Sequence, residues 1–133
     1  MNSYNSELLQ SAFPDLYEAP AADRPFEGTA AFVGCFPFEC GDGWASLIYD
    51  LSAALSFHAR AHGLSIVATQ VKEKYGALRF YVDVADEWSY QLIDEAEEAS
   101  EGICELCGSQ GSLERTGWWT TRCKDCSESS RPP

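Results

Sequence analysis

The chain is short of positive charge. Nine Lys and Arg stand against 21 Asp and Glu in 133 residues, a formal net charge of −12 with a pI near 4.4. That balance argues against a protein that grips nucleic acid by broad phosphate neutralisation. It argues equally against a polybasic membrane anchor. Histidine is scarce, with only His58 and His62. Long apolar runs are missing. The least charged stretch, Gly28 to Phe38, is too short to span a bilayer and is broken by Gly34 and Pro37. Met1 to Glu7 carry neither the basic nor the apolar part of a signal peptide. A soluble, cytoplasmic protein with no membrane partner is the expectation. Core material is plentiful, with 45% hydrophobic and 13% aromatic residues, so disorder is not expected. The length allows one modest domain with a small appended module.

Six cysteines in a reducing compartment call for metal or catalysis before disulfides. Cys104-Glu105-Leu106-Cys107-Gly108 and Cys123-Lys124-Asp125-Cys126 form a CxxC…CxxC pattern with fifteen residues between the pairs. Two residues between cysteines let both thiolates of a tight turn reach one ion, and a second turn completes a tetrahedron of sulfurs. Gly108 suits a knuckle that needs an unusual backbone angle. Leu113 to Thr121 is long enough for a small hairpin that folds the second pair back. Cys104, Cys107, Cys123 and Cys126 are therefore assigned to a structural Zn2+, with no coordination position left for catalysis.

The rest of the chain reads as α+β: a helix–β-hairpin–helix core followed by a four-cysteine zinc-ribbon or knuckle module. Residues 1–27 are expected to be a lead-in. Ser6 would cap a short helix with Leu8, Leu9 and Phe13 on its apolar side, ended by Pro14; Pro20 and Pro25 keep the next stretch irregular. Residues 28–102 hold the core. Asp42 is placed as N-cap of a helix carrying Trp44, Leu47, Ile48, Leu51, Ala54, Leu55 and His58 on one face, with Gly63 as its stop. Leu64 to Ala85 alternate with period two around Tyr75-Gly76, as in a hairpin. Asp86 opens a second helix that turns Trp88, Leu92, Ile93, Ala96 and Ala99 inward. The zinc module takes 103–128, and 129–133 is a flexible tail.

Two charged clusters stand out. Glu87, Asp94, Glu95, Glu97, Glu98 and Glu101 line one face of the second helix, and no Lys or Arg occurs again before Arg115. Asp94, Glu95, Glu97, Glu98 and Glu101 are the candidate partner-binding residues, a surface suited to a protein with a basic surface. Lys72, Lys74 and Arg79 surround the hairpin turn. They offer either an anion site or internal partners for the acidic helix. With Trp118 as a stacking platform they also define the alternative reading, a nucleic-acid-binding zinc protein. Within the zinc module, however, Arg115, Arg122, Lys124 and Arg131 are balanced by Glu105, Glu114, Asp125 and Glu128, so no basic stripe forms.

Catalytic candidates are thin, and no catalytic residue is assigned. Cys35 and Cys40 could join His58 and His62 in a second metal site only arithmetically. His58-Ala59-Arg60-Ala61-His62 has the histidine spacing of a zincin helix but lacks its glutamate. Cys40-Gly41-Asp42-Gly43-Trp44 echoes a papain-type segment, yet Gly43 stands where the nucleophile would be. A Cys40–His58 pair beside Asp42 is the remaining enzymatic alternative.

Several stretches occur together: Phe13-Pro14-Asp15-Leu16-Tyr17, Phe38-Glu39-Cys40-Gly41-Asp42-Gly43-Trp44, Val71 to Tyr81 (VKEKYGALRFY), and the cysteine pairs with Gly117-Trp118 between them. In this order they resemble a widespread group of small bacterial, phage and prophage proteins of unassigned function. Many of those end in a Cys-x-x-His type pair, where this chain has Cys126. The resemblance carries no reaction. It implies a phage-associated accessory protein in a bacterial cytoplasm. Joined to the acidic surface, it suggests a non-enzymatic factor inhibiting a host nucleic-acid-handling defence complex, such as CRISPR machinery.

Overall fold

The computed structural model describes residues 1–17 and 36–129. Cys35, Pro20, Pro25 and the tail from residue 130 lie outside the described residues.

A three-stranded sheet forms the centre. β2 (Ala68–Lys74) and β3 (Ala77–Val82) pair antiparallel, and β1 (Phe38–Glu39) adds in parallel to β2, with Phe38 opposite Val71. The strand order is thus β1-β2-β3. A register shift between Ala68 and Gln70 interrupts the strict alternation read from the sequence. It lets Ala68 and Val71, an odd number of residues apart, both face the core. Tyr75 and Gly76 make the two-residue turn, with φ of 54° and 81°. Positive φ at both central positions is the type I′ hairpin turn, whose twist matches that of the strands.

Helices cover one side of this sheet. α3 (Ala45–His62) buries Ile48, Leu51, Leu55 and Ala59, residues at the three- and four-residue steps expected of one face. Gly63, left-handed at φ 64°, stops it. α4 (Glu87–Ser100) packs between α3 and β3. Asp86 is its N-cap, accepting from Ser89 N, as the sequence predicts.

Three sequence expectations need correction. Asp42 does not cap α3. It opens a short 3-10 turn, Asp42–Trp44, and its carboxylate accepts from Asn2 N at 2.7 Å and Asn5 Nδ2 at 3.0 Å. Those bonds, led by Asn2, hold its pKa below the usual carboxylate value. The first helix, α1 (Ser3–Ala12), is capped by Asn2 instead of Ser6, and it buries Leu9 while Leu8 is exposed. Pro14 does not simply end it. Proline, pre-set for a first helical position, starts the short α2 (Pro14–Tyr17).

The third correction concerns α4. Its inward face is Ser89, Ile93, Ala96 and Ser100; Trp88 is 57% exposed and Ala99 is exposed. Apolarity placed Ile93 and Ala96 inward correctly, and Leu92 packs at the edge of the core, but it missed that both serines are satisfied inside. Ser89 Oγ donates to Asp86 Oδ1. Ser100 Oγ donates to Glu97 O and accepts from Leu78 N at 2.9 Å.

The core is rich in rings. Tyr17 stands edge-on to Phe38 at 5.3 Å and to Phe80 at 6.5 Å, and its hydroxyl bonds Ser52 Oγ at 2.6 Å. Trp44 is fully buried. No helix among the described residues is long and apolar enough to cross a membrane.

Asp86 also predicts a pH response. The Ser89 hydroxyl first, then His58 Nε2 at 2.7 Å, hold its carboxyl down at about 2. A depressed carboxyl stabilises the fold above its unfolded pKa, and the contribution disappears as pH falls toward 2. Asp86→Ala should therefore unfold at lower urea at neutral pH. The gap to wild type should narrow below about pH 4, as the unfolded carboxyl protonates, and close as pH reaches about 2, where the folded carboxyl protonates too. Urea midpoints measured across pH 2–7 check this.

Candidate metal centre

The four predicted thiols meet. The sulfurs of Cys104, Cys107, Cys123 and Cys126 all lie within 4.8 Å of one another, with Cys107 and Cys123 at 3.6 Å. Zinc–sulfur bonds of about 2.3 Å in a tetrahedron place sulfurs about 3.8 Å apart, so the cluster fits one four-coordinate ion.

Local sequence builds each half. In the first knuckle Cys104 O accepts from Gly108 N at 2.9 Å, and Cys104 N donates to Ser109 O at 2.7 Å. Gly108 has a φ of 83°, the left-handed angle expected of it. The second pair straddles the start of α5 (Lys124–Ser129), where Cys126 N donates to Cys123 Sγ at 3.4 Å. Between them β4 (Ser112–Glu114) and β5 (Thr120–Arg122) form the expected hairpin, with Leu113 opposite Thr121.

The thiols are electrostatically unequal. Burial pushes Cys104 up, but N–H groups of Cys123, Cys107 and Leu106 outweigh it and leave the pKa lowered. Ser109, through its hydroxyl and then its amide, brings Cys107 down to about 6. Cys126 is pushed up to about 12, mainly by its bond to the Cys123 sulfur. Ion entry must displace the protons held between these sulfurs.

The module is not a pendant. It is seated on the core at two places that the sequence marks with glycine. At the first, Gly43 N donates to Glu105 O at 2.7 Å, Gly41 N to Glu105 Oε2 at 2.9 Å, and Trp44 Nε1 to Ile103 O at 2.8 Å. A Cβ on Gly43 would stand 2.0 Å from Cys104 O, and one on Gly41 would stand 2.3 Å from Glu105 O. At the second seat Thr121 Oγ1 donates to Gly76 O at 2.6 Å, and a Cβ on Gly76 would meet Leu113 Cδ1 at 2.4 Å. The Cys40–Trp44 and Tyr75–Gly76 segments are thus the sockets of the cysteine module. Sequence reasoning isolated both stretches but missed this role.

Other candidates fall into place around it. Cys40 is buried, and that burial, with Glu105 nearby, pushes its thiol up to about 12. A thiol so placed stays protonated at neutral pH. His58, its suggested partner, has Nε2 bonded to Asp86, with the His62 ring 4.4 Å away. Iodoacetamide at pH 7 should accordingly leave Cys40 unmodified in the folded protein; mass mapping of alkylated cysteines checks this.

Asp94, Glu95 and Glu98 are exposed on α4, and Glu101, its C-cap, is exposed at the helix end. Glu97 is half-buried and accepts from Phe80 N at 2.9 Å, which ties it to the sheet edge. Arg79 lies close enough to favour its charged form, although burial raises its pKa overall. No ion pair joins Lys72, Lys74 or Arg79 to α4 among the described residues. Trp118 and Trp119 are 82% and 39% exposed.

Comparison with family models, with curated proteins and with solved structures finds no match to this chain.

Proposed function

We propose that this is a non-catalytic protein-interaction factor, held in shape by a structural zinc ion and docking through the acidic face of α4 onto a basic protein surface. Soft thiolates in a tetrahedral set favour zinc. Four thiolates around Zn2+ carry about −2, so loading deepens the acidity.

The observation that carries the docking reading is the unpaired state of that face. Asp94, Glu95 and Glu98 project from one helix and Glu101 from its C-cap, and none has an ion-pair partner among the described residues. Lys72, Lys74 and Arg79 form no ion pair with them. A solvated row of carboxylates steers and orients a basic partner more than it adds affinity. The resemblance to phage-type proteins would make that partner a host complex that handles nucleic acid.

Titration against such a complex tests the reading. Association should slow by at least tenfold between low and physiological salt. The triple variant Glu95→Gln/Glu98→Gln/Glu101→Gln should lose most of that salt dependence. Salt-insensitive association, or a variant that behaves as wild type, would contradict it.

A further inference from the structure

Beside the cysteine module, Glu73, Lys74, Tyr75, Gly117, Trp118 and Trp119 line a groove of about 610 Å³. Three large rings in it face solvent: Trp118 at 82%, Tyr75 at 66% and Trp119 at 39%. Leaving that much aromatic surface wet forfeits the burial these side chains usually obtain.

The rings are held, not adrift. Tyr75 and Trp119 meet at 6.2 Å with planes 66° apart, a corner of two walls. Tyr75 sits at φ 54°, an angle that strains a non-glycine residue and that Asn or Gly would adopt more easily. Its neighbour Gly76 is pinned by Thr121 and Leu113. Trp118 comes directly after Gly117, which is left-handed at φ 66° and turns the β4–β5 connection outward.

These ring faces already take cations. Lys74 Nζ lies 5.7 Å from the Tyr75 centroid and the Arg115 guanidinium 5.5 Å from that of Trp119. Trp118 has no such cation among the described residues. The Glu73 carboxylate, bonded through Oε1 to Gly76 N at 3.2 Å, completes the lining with a negative group.

We propose that this groove is the anchor site for an arginine-bearing segment of the partner protein, its guanidinium stacking on Trp118 within reach of Glu73. Arginine suits the site because it stacks flat on an indole while bonding a carboxylate at its edge. The chain as a whole, at −12, steers a cationic segment toward it and repels a polyanion, while within the groove Glu73 stands against Lys74. Placement favours it too. Glu97 meets Phe80 and Ser100 meets Leu78, so α4 runs toward the hairpin turn and brings Glu101 to the end where Tyr75 lies. Tryptophan, tyrosine and arginine are the residues in which binding hot spots are enriched. The inference rests on the acidic-docking reading and names the residue that anchors it.

The test uses the metal-loaded full chain and three probes: an oligoarginine peptide, an oligolysine peptide of equal length and an oligothymidylate. Oligoarginine should bind more tightly than oligolysine and shift the tryptophan emission. Trp118→Ala should weaken oligoarginine about tenfold and erase the preference over lysine. With its side chain in solvent, that variant should keep wild-type metal content and thermal midpoint. Trp88→Ala, in the first turn of α4 and so at the opposite end from Glu101, should bind as wild type. Tyr75→Asn should raise the thermal midpoint while weakening the peptide, as expected of strain kept for function. A Trp118→Ala protein that binds oligoarginine undiminished, or tighter binding of oligothymidylate, overturns the proposal. If the α4 charge variant alone loses binding, the acidic face stands and the anchor falls. If neither variant changes binding, both fall.

Discussion

A single methyl group at position 43 should undock the cysteine module. In Gly43→Ala the new Cβ would lie 2.0 Å from Cys104 O and 2.6 Å from both C and O of Glu105. Those are backbone atoms, so no side chain can swing aside. Either the knuckle withdraws, or the 3-10 turn unwinds and drags Trp44. The substitution should cost about 3 kcal/mol, the upper end of ordinary overpacking. It should also weaken the metal site, because the displaced carbonyl belongs to a ligand residue. Gly63→Ala is the control. There a Cβ meets nothing within 4 Å, and only the left-handed φ of 64° is penalised, at about 1 kcal/mol. Urea unfolding of the two variants separates steric conflict from backbone preference. Equal losses would mean that the Gly43 contact does not hold the module.

Metal removal should have the larger effect. The module has little apolar material of its own: of residues 103–128, only Cys104 and Thr121 are fully buried. Small lobes of this kind depend on their metal. Apparent zinc-binding free energies of about 10 kcal/mol or more are typical of such sites. If half of that reaches the fold, about 5 kcal/mol, the midpoint falls by roughly 20 °C at about 4 °C per kcal/mol. Cys104→Ser, or a chelator on the wild type, should do this. The damage should spread beyond the module, because Trp44 donates to Ile103 O and its seat would open. Tryptophan emission should then shift to the red before the helices melt. Acid should mimic the chelator, since each ligand must shed a proton to bind. Unchanged emission after metal loss would show that module and core are independent.

The cysteine pairs, the Tyr75-Gly76 turn, the Asp86 cap and the Gly63 stop were legible because each is decided within a few residues. The CxxC spacing alone placed four sulfurs that the fold brings within 4.8 Å. What the sequence hid is long-range. Gly41 meets Glu105 across 64 residues, and Thr121 meets Gly76 across 45. Periodicity carries no trace of such a contact, so the Cys40–Trp44 stretch looked like a helix cap at Asp42 and a distant protease echo. Asp42 was misplaced for the same reason. A carboxylate before a helix normally caps it, but here the N-terminus of another helix lies closer. On α4 the error lay in polarity. Buried Ser89 and Ser100 read as surface, while Trp88 reads as core, because hydrogen-bond satisfaction inside a fold cannot be counted from composition. The acidic face itself was legible. That Glu97 turns toward the Phe80 amide was not, since helical spacing places it beside Glu98 without saying where the sheet edge runs.

The central claim is that Cys104, Cys107, Cys123 and Cys126 hold one zinc ion and that this ion keeps the module on its two glycine seats. Native mass spectrometry of the zinc-reconstituted wild type and of Cys104→Ser tests it most directly. The wild type should carry one zinc per chain, tightly enough to survive desalting, and Cys104→Ser should carry none under the same conditions. A wild type without zinc, or a Cys104→Ser protein that retains a full equivalent, would contradict it.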